Sequence, residues 1–393
     1  MLQDPVVIVG MARTPMGGMQ GAFSNQTVTD LGAIAIQGAL AKAGLTADVV
    51  DEVLMGCVLP AGVGQAPARQ AALKAGVPNN TPCTTISKVC GSGMKAIMSA
   101  HDAIAAGSAQ IIVAGGMESM TNAPYLIPQG RGGYRFGHAE ILDHMLYDGL
   151  QDAYTGGSMG TFAELCADKF SFSREDQDNY ALESLSRALD AINNGNFASE
   201  ISPVTIKTRK GESIVDTDEQ PGKASPEKIP QLKPAFKKEG TVTAANSSSI
   251  SDGAAAVVMM RQSLAEEKGL TVLATIDGHS QHANEPAWFT TAPVHAIRKL
   301  TDKLNWSSDD IDLYEINEAF AVVALAAMKE LSIPRDKINV FGGACALGHP
   351  IGASGARIVV TLINALNQHQ GKKGVASLCI GGGEATALAL RLP

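Results

Sequence analysis

Short apolar runs alternate along this chain with alanine-rich stretches that have the period of a helix. Val6–Val9, Ile111–Ala114 and Val375–Ile380 are mostly apolar, and each is short enough for one buried strand. Asp30–Ala43 has the helical pattern and is followed by Gly44, a residue type that commonly ends helices. Strands that are apolar throughout are typical of a sheet with helices on both faces. The pattern therefore predicts an α/β fold.

The same order of elements occurs near both ends of the chain. Asn305 ends a helical run as Gly44 does, and each is followed by acidic residues and an apolar strand. Gly91–Gly93 and Ala353–Gly355 then open matching helices, which lead to strands that end in glycines. We interpret this as a duplicated unit, and two packed copies predict an α-β-α-β-α layered body. The predicted divisions are an N-terminal unit at 1–120, an inserted loop domain at 121–267 with some return to the core near 240–267, and a C-terminal unit at 268–393.

Charge and cysteine content narrow the class of protein. The chain has 393 residues and a formal net charge of −8, which argues against an extended nucleic-acid-binding surface. No window is apolar for long enough to predict a membrane helix, and the first residues lack the pattern of a secretion signal, so we expect a cytoplasmic protein. The six cysteines show no spacing typical of a metal site. We therefore expect free thiols and no bound metal.

The segment 207–238 within the insert is locally basic. It holds eight basic residues against five acidic ones, in a chain whose net charge is negative. A patch that faces phosphate groups and a solvated surface loop both fit this composition. The basic residues are Lys207, Arg209, Lys210, Lys223, Lys228, Lys233, Lys237 and Lys238.

Cys90 is the first candidate for chemistry. The chain has 41 glycines, more than the usual share of about 7%, and two of them, Gly91 and Gly93, flank the start of the helix that follows Cys90. A helix N-terminus lowers a thiol pKa and can bind an oxyanion. The glycines leave room for a substrate beside the backbone. Catalysis and plain core packing both fit a cysteine in this position.

Three further side chains are candidates for chemistry. His349 lies in the glycine-rich segment 342–355, at the position that matches Cys90 in the repeat, and fits either a structural role or a base facing the thiol. Cys379 ends the last strand before a run of glycines that includes Gly381, and Asn317 directly follows a buried strand. The chain has neither a phosphate-binding loop motif nor a dinucleotide-binding motif. Thiols, an imidazole and an amide favour acyl transfer.

Five segments together give the chain a specific resemblance. It resembles the thiolase family over its whole length, most closely the acetoacetyl-CoA thiolases. The matching segments are Val89–Gly93, Gly115–Met120, Asn317–Phe320, Gly348–Gly352 and Cys379–Gly383.

The resemblance implies a role for each candidate residue. Cys90 would be the nucleophile that takes the acyl group from a CoA thioester. His349 would deprotonate Cys90 and stabilise the thioester oxyanion together with a water held by Asn317. Cys379 would act as acid and base at the α-carbon of the second acetyl-CoA. The backbone N–H groups of Cys90 and Gly381 would form the other oxyanion hole.

The resemblance also implies how substrates bind. The inserted domain would bind coenzyme A, and no other cofactor is expected. One lysine would meet a phosphate of CoA, and the other residues would line the pantetheine and adenine path. The predicted contacts are Leu150, Met159, Lys223, Phe236, Ala244, Ser248 and Phe320.

The resemblance implies the condensation of two acetyl-CoA to acetoacetyl-CoA and CoA, with thiolysis as the reverse reaction. It also implies a homodimer or homotetramer that takes part in fatty acid metabolism.

Ser158, Phe341 and the pair Glu384-Ala385 depart from the family pattern and bear on acyl-chain preference. The alternatives are a degradative 3-ketoacyl-CoA thiolase of broader chain length and a non-catalytic protein that binds acyl-CoA or lipid. Retention of Cys90, His349 and Cys379 argues against the second.

Overall fold

The computed structural model describes residues 4–208 and 211–393. Within them, ten strands form one mixed sheet in the order β12-β13-β14-β11-β1-β10-β5-β3-β4, with β2 beside β10, and two hairpins, β6-β7 and β8-β9, lie outside it. The strands are β1 (Val6–Arg13), β2 (Gly17–Gly18), β3 (Glu52–Gly56), β4 (Cys83–Ile86), β5 (Ile112–Ser119), β6 (Tyr125–Leu126), β7 (Leu142–Asp143), β8 (Val204–Thr208), β9 (Gly211–Val215), β10 (Ser251–Arg261), β11 (Ala274–Ala283), β12 (Leu313–Ile316), β13 (Lys373–Ile380) and β14 (Glu384–Arg391).

The helices connect these strands and cover the sheet. They are α1 (Val28–Ala43), α2 (Pro67–Lys74), α3 (Ser92–Ala106), α4 (Met159–Phe170), α5 (Arg174–Asn193), α6 (Gln262–Glu267), α7 (Ala292–Leu304), α8 (Ala321–Leu331), α9 (Ala344–Leu347) and α10 (Ile351–Gln368). Short helical turns lie at Ala47–Val49, Leu146–Leu150, Pro221–Lys223, Pro226–Gln231, Pro286–Thr291, Ser308–Asp310 and Arg335–Lys337. None of the helices in the described ranges is long and apolar enough to cross a membrane.

The sheet consists of two halves that meet along a short seam. Strands β1 and β11 are paired only where Val7 faces Thr275 and Ile8 faces Ala274. On one side of the seam lie β4-β3-β5-β10-β1, and on the other lie β11-β14-β13-β12. Strand β10, near the end of the predicted insert, pairs with both β1 and β5. This strand therefore belongs to the core of the first half.

Alternate residues along the strands point into different cores. In β1, Ile8 packs in the core that also contains Met98 of α3 and Val359 of α10. Its neighbour Val7 packs in a separate core with Leu31 of α1. A third core joins the outer face of the second half to α7 and α8. Helices α3 and α10 thus lie between the two halves, and the predicted α-β-α-β-α layered fold is confirmed.

Several of the clustered glycines serve this packing. A Cβ on Gly93 would lie 2.8 Å from the backbone nitrogen of Ala356, and one on Gly355 would lie 2.4 Å from that of Met94. A Cβ on Gly116 would lie 2.0 Å from the carbonyl oxygen of Gly352. Real Cβ atoms do not approach backbone so closely. These glycines allow α3, α10 and β5 to come together, so the expectation that Gly93 leaves room for a substrate is wrong.

Candidate active site

Cys90 lies in a tight turn between β4 and α3. Ser92 closes this turn: its hydroxyl donates to the carbonyl of Val89 at 2.7 Å and accepts from the N–H of Lys88 at 2.8 Å. Val89 has a φ of 44°, an unusual conformation for a β-branched residue. Such strained residues persist only where the surroundings hold them in place. The turn therefore fixes Cys90 at the N-terminal end of α3, directly before Gly91.

Burial keeps the Cys90 thiol protonated near neutral pH. Burial raises its pKa to about 11, although a hydrogen bond from the backbone N–H of Gly381 favours the thiolate. Because the thiolate and not the thiol is the nucleophile, Cys90 needs a base to become reactive. The contact with Gly381 also places one backbone N–H donor beside the sulfur.

His349 has the ring orientation that such a base needs. Its Nδ1 lies 2.6 Å from Oγ of Ser354, whose hydroxyl donates to the carbonyl oxygen of Pro350 at 3.0 Å. Since that carbonyl can only accept, the Ser354 oxygen accepts the Nδ1–H of His349, and Nε2 carries the free lone pair. Nε2 is buried and has no hydrogen-bond partner among the described residues.

The electrostatic surroundings keep the His349 ring neutral. Burial and, to a smaller extent, the Arg357 guanidinium lower the pKa of His349 to about 3. Arg357 itself is buried and paired with Glu315 at 2.7 Å. A neutral imidazole with a free Nε2 can accept a proton from a thiol.

Cys379 lies at the end of β13 with no exposed surface. Burial raises its pKa well above the ordinary value of a thiol, and Cys90 raises it further, so the two sulfurs lie close enough to interact electrostatically. A thiolate formed here would be a stronger base than an ordinary one. The structure therefore brings both predicted thiols together.

Asn317 is buried beside His349. Its Nδ2 lies 3.4 Å from Nδ1 of His349, and its Oδ1 has no hydrogen-bond partner among the described residues. A buried amide oxygen without a partner is costly unless a water or substrate group donates to it. Asn317 is thus placed to hold such a donor next to the histidine.

Cys90, His349 and Gly381 share the wall of one cavity. Its volume is about 430 Å³, and much of the rest of its wall is apolar, including Met120, Phe289 and Ile351. Cys379 and Asn317 are fully buried and do not form part of this wall. A thiol, a neutral imidazole and backbone N–H donors around one cavity can perform nucleophilic acyl transfer.

Two family models match adjacent parts of the chain. The model of the thiolase N-terminal domain matches residues 6–263, and that of the thiolase C-terminal domain matches residues 270–392. The chain belongs to the thiolase family. The resemblance expected from the sequence is confirmed. The boundary between the two matched domains falls after β10 and before β11, where the chain passes from the first half-sheet to the second.

The relatives that align with nearly the whole of this thiolase are named as acetyl-CoA acetyltransferases or acyltransferases. It is 52% identical over 390 residues to acetyl-CoA acetyltransferase 2 of Arabidopsis thaliana, covering 98% of this chain and 97% of the relative. It is 49% identical over 391 residues to an acetyl-CoA acetyltransferase of Pseudomonas aeruginosa, covering 99% of each chain. It is 47% identical over 384 residues to a probable acetyl-CoA acyltransferase of Staphylococcus aureus, covering 97% and 98%.

The residues predicted to contact coenzyme A fall into two groups. All but one line the cavity of this thiolase. The exception, Lys223, lies in the turn Pro221–Lys223 and forms an exposed ion pair with Glu219. The residues that line the cavity are Leu150, Met159, Phe236, Ala244, Ser248 and Phe320.

Several described lysines of the basic segment form ion pairs with nearby acids. Lys207 lies 3.8 Å from Glu212, and Lys237 lies 3.0 Å from Asp168. Arg209 and Lys210 lie outside the described residues. The ion pairs that are described favour the interpretation of a solvated surface.

Glu118 and Glu318 are buried residues whose roles the sequence does not reveal. Glu118 accepts backbone hydrogen bonds from Val58, Leu59 and Gly352 at 2.9, 3.2 and 2.9 Å, which ties the start of α10 to the end of β5. Glu318 accepts from the hydroxyls of Tyr180 and Ser184, the amide of Asn339 and the backbone of Cys345. Both acids hold the segments that carry His349 and Asn317. In the sequence, each comes at the end of an apolar run, within one of the segments that resemble the thiolase family.

Proposed function

We propose that this protein is an acetyl-CoA C-acetyltransferase that condenses two acetyl-CoA to acetoacetyl-CoA and CoA, and catalyses the reverse thiolysis. The observation that carries the proposal is the shared cavity of Cys90, His349 and Gly381, with Cys379 within electrostatic range of Cys90. The names of relatives about half identical over nearly the whole chain support the same activity.

The first half-reaction forms an acetyl-enzyme. Nε2 of His349 takes the proton of Cys90, and the thiolate attacks the carbonyl carbon of acetyl-CoA. The bond between that carbon and the sulfur of CoA breaks, and the CoA thiolate takes the proton of Cys379. The products are acetyl-Cys90, protonated His349, the Cys379 thiolate and CoA.

The second half-reaction forms the carbon–carbon bond. The Cys379 thiolate removes a proton from the α-carbon of the second acetyl-CoA, for which its raised basicity is suited. The resulting enolate attacks the carbonyl carbon of acetyl-Cys90, and the bond to sulfur breaks to release acetoacetyl-CoA. His349 returns its proton to the Cys90 thiolate, so every group regains its starting state.

Negative charge develops on two carbonyl oxygens during these steps. The N–H groups of Cys90 and Gly381 would stabilise the oxyanion on the acyl group, and protonated His349 with a water held by Asn317 would stabilise the enolate. The contact of Gly381 with Cys90 and the free oxygen of Asn317 support these roles. Oxyanion donors typically contribute about 10²- to 10³-fold each.

The inserted residues 121–267 would bind CoA between the two units, 1–120 and 268–393. Their apolar part of the cavity, including Met159 and Phe236, suits the pantetheine arm. Lys223 keeps its role at a phosphate as a prediction only, because it lies apart from the cavity lining. The cytoplasmic location and the assembly as homodimer or homotetramer also rest on the sequence alone.

The test compares substrates directly. The purified protein is given CoA with acetoacetyl-CoA or with a longer 3-ketoacyl-CoA, and the acyl-CoA products are separated by chromatography. We expect acetoacetyl-CoA to be cleaved with the higher kcat/KM. A clear preference for the longer substrate would identify a degradative thiolase of broader chain length, and absence of turnover on both would favour a binding protein.

A further inference from the structure

A second cluster of reactive side chains lies outside the cavity. His101 and Asp102 are on α3, and His279 is on β11, so the cluster joins the helix that begins beside Cys90 to a strand of the second half-sheet. From the start of α3 to His101 the helix rises about 14 Å, at 1.5 Å per residue. The cluster is thus separate from the catalytic cavity, whose wall includes none of these residues.

The distances in this cluster match those between ligands of one metal ion. Oδ1 of Asp102 lies 2.9 Å from Nε2 of His279 and 3.2 Å from Nδ1 of His101. One ligand atom from each of the three side chains lies within 4.8 Å of the others. Ligands bound to zinc at about 2.0–2.1 Å in a tetrahedron lie about 3.3 Å apart. A small inward shift of the two rings would therefore complete three of four ligand positions.

We propose that His101, Asp102 and His279 form a binding site for a divalent transition metal of the zinc type. Two imidazole nitrogens and one carboxylate are a common zinc ligand set, and the fourth position faces solvent because the Asp102 side chain is 58% exposed. The bound ion would join α3 to β11 across the two halves of the fold. Its role would be to stabilise the protein, since no step of acyl transfer involves it.

The test measures Zn²⁺ binding to the intact protein after removal of metal with a chelator. Isothermal titration calorimetry should give one Zn²⁺ per chain, and Zn²⁺ should raise the midpoint of thermal unfolding. His279→Ala and Asp102→Asn should each weaken binding by at least about tenfold, since even residues that only orient ligands contribute about 10- to 100-fold. Asp102→Asn is the milder change, because this side chain is more than half exposed.

His282→Ala is the matched control. His282 lies on the same strand and its ring is 4.6 Å from that of His295, so it forms the other histidine pair near the cluster. This variant should bind Zn²⁺ as the wild type does. The proposal is wrong if the wild type shows no saturable binding, or if His282→Ala weakens binding while His279→Ala does not. It is also wrong if the absorption spectrum of the Co²⁺ form shows thiolate ligation, which would place the ion on a cysteine.

Discussion

Nδ1 of His349 lies 2.6 Å from the hydroxyl oxygen of Ser354, five residues further along the chain. This contact determines which ring nitrogen carries the proton, and it leaves Nε2 as the free base. Ser354 does not line the cavity, so it is a positioning residue that acts through His349.

Ser354→Ala should reduce kcat, because the His349 proton would then distribute over both nitrogens. A buried carboxylate that holds a catalytic tautomer contributes about 10⁴-fold, and we expect a neutral hydroxyl to contribute less, about 10- to 100-fold. Steady-state kinetics should show the loss in kcat with little change in KM. Ser280→Ala, which removes a buried hydroxyl that donates to the carbonyl of Ala296, is the control and should retain full kcat. Equal losses in both variants would show a general effect of removing a buried hydroxyl.

Substitution of each of the two cysteines should separate the two half-reactions. Cys379→Ala should still become acetylated on Cys90 when mixed with acetyl-CoA, but it should lose condensation by at least about 10²-fold because the base at the α-carbon is missing. Cys90→Ala should form no acetyl-enzyme. Mass spectrometry of the intact protein gives the acetyl adduct, and chromatography gives acetoacetyl-CoA.

Cys83→Ala is the control for the thiol variants, since Cys83 is a half-buried free cysteine outside the cavity wall. It should behave as the wild type in both assays. A stable acetyl adduct on Cys90→Ala, or normal condensation by Cys379→Ala, would contradict the assigned roles.

The sequence reveals most of the catalytic residues but only part of what holds them. Cys90, His349 and Cys379 are visible because they stand beside glycines at matching places in a repeat. Lys223 is basic like a phosphate contact, yet folding pairs it with Glu219 away from the cavity lining. Charge in a sequence does not show which acid a long side chain will meet.

Contacts between distant segments are the part that spacing cannot predict. His279 meets Asp102 across 177 positions of the chain, so a search for short metal-binding spacings does not find the cluster. Glycines such as Gly93 and Gly355 are common in substrate-binding loops, but here their small size allows two helices to pack together. Both functions require the absence of a side chain, and the sequence alone does not distinguish them.

Gly160→Ala should weaken substrate binding. A Cβ at this position would lie 2.3 Å from the ring of Phe236, which lines the cavity, so the ring must move. We expect KM for acetyl-CoA to rise by about tenfold, which corresponds to about 1.4 kcal/mol of binding free energy. The control is Gly222→Ala, where a Cβ meets nothing within 4 Å. An unchanged KM in Gly160→Ala would show that Phe236 does not contact the substrate.

Arg13→Ala should strongly destabilise the fold. The Arg13 guanidinium is fully buried at the end of β1 and contacts Asp218 at 2.7 and 2.8 Å and Glu200 at 2.5 Å, which ties the insert to the core. Removing one partner of a buried ion pair costs about 3–5 kcal/mol, because the remaining carboxylates lose their counter-charge. Denaturant unfolding measures this loss. Arg298→Ala breaks an exposed pair with Glu330 and should cost less than about 1 kcal/mol; similar costs for both variants would contradict the prediction.

Glu118→Gln should change how stability depends on pH. Burial raises the pKa of Glu118 from 4.5 to about 7, even though three backbone N–H groups favour its ionised form. The folded state therefore holds this proton where the unfolded state has released it, and the ionisation of Glu118 lowers stability as pH rises from about 4.5 to about 7. The glutamine does not titrate, so its variant lacks this decrease.

The comparison of the two proteins isolates the titration of Glu118. Relative to Glu118→Gln, the wild type should lose on the order of 3 kcal/mol of unfolding free energy between about pH 5 and pH 8. Denaturant unfolding of both proteins at these two pH values gives the difference, and other groups cancel because both proteins share them. A difference that stays constant with pH would mean that Glu118 is ionised throughout, held by Val58, Leu59 and Gly352. In that case these three backbone N–H groups would compensate fully for burial of the charge.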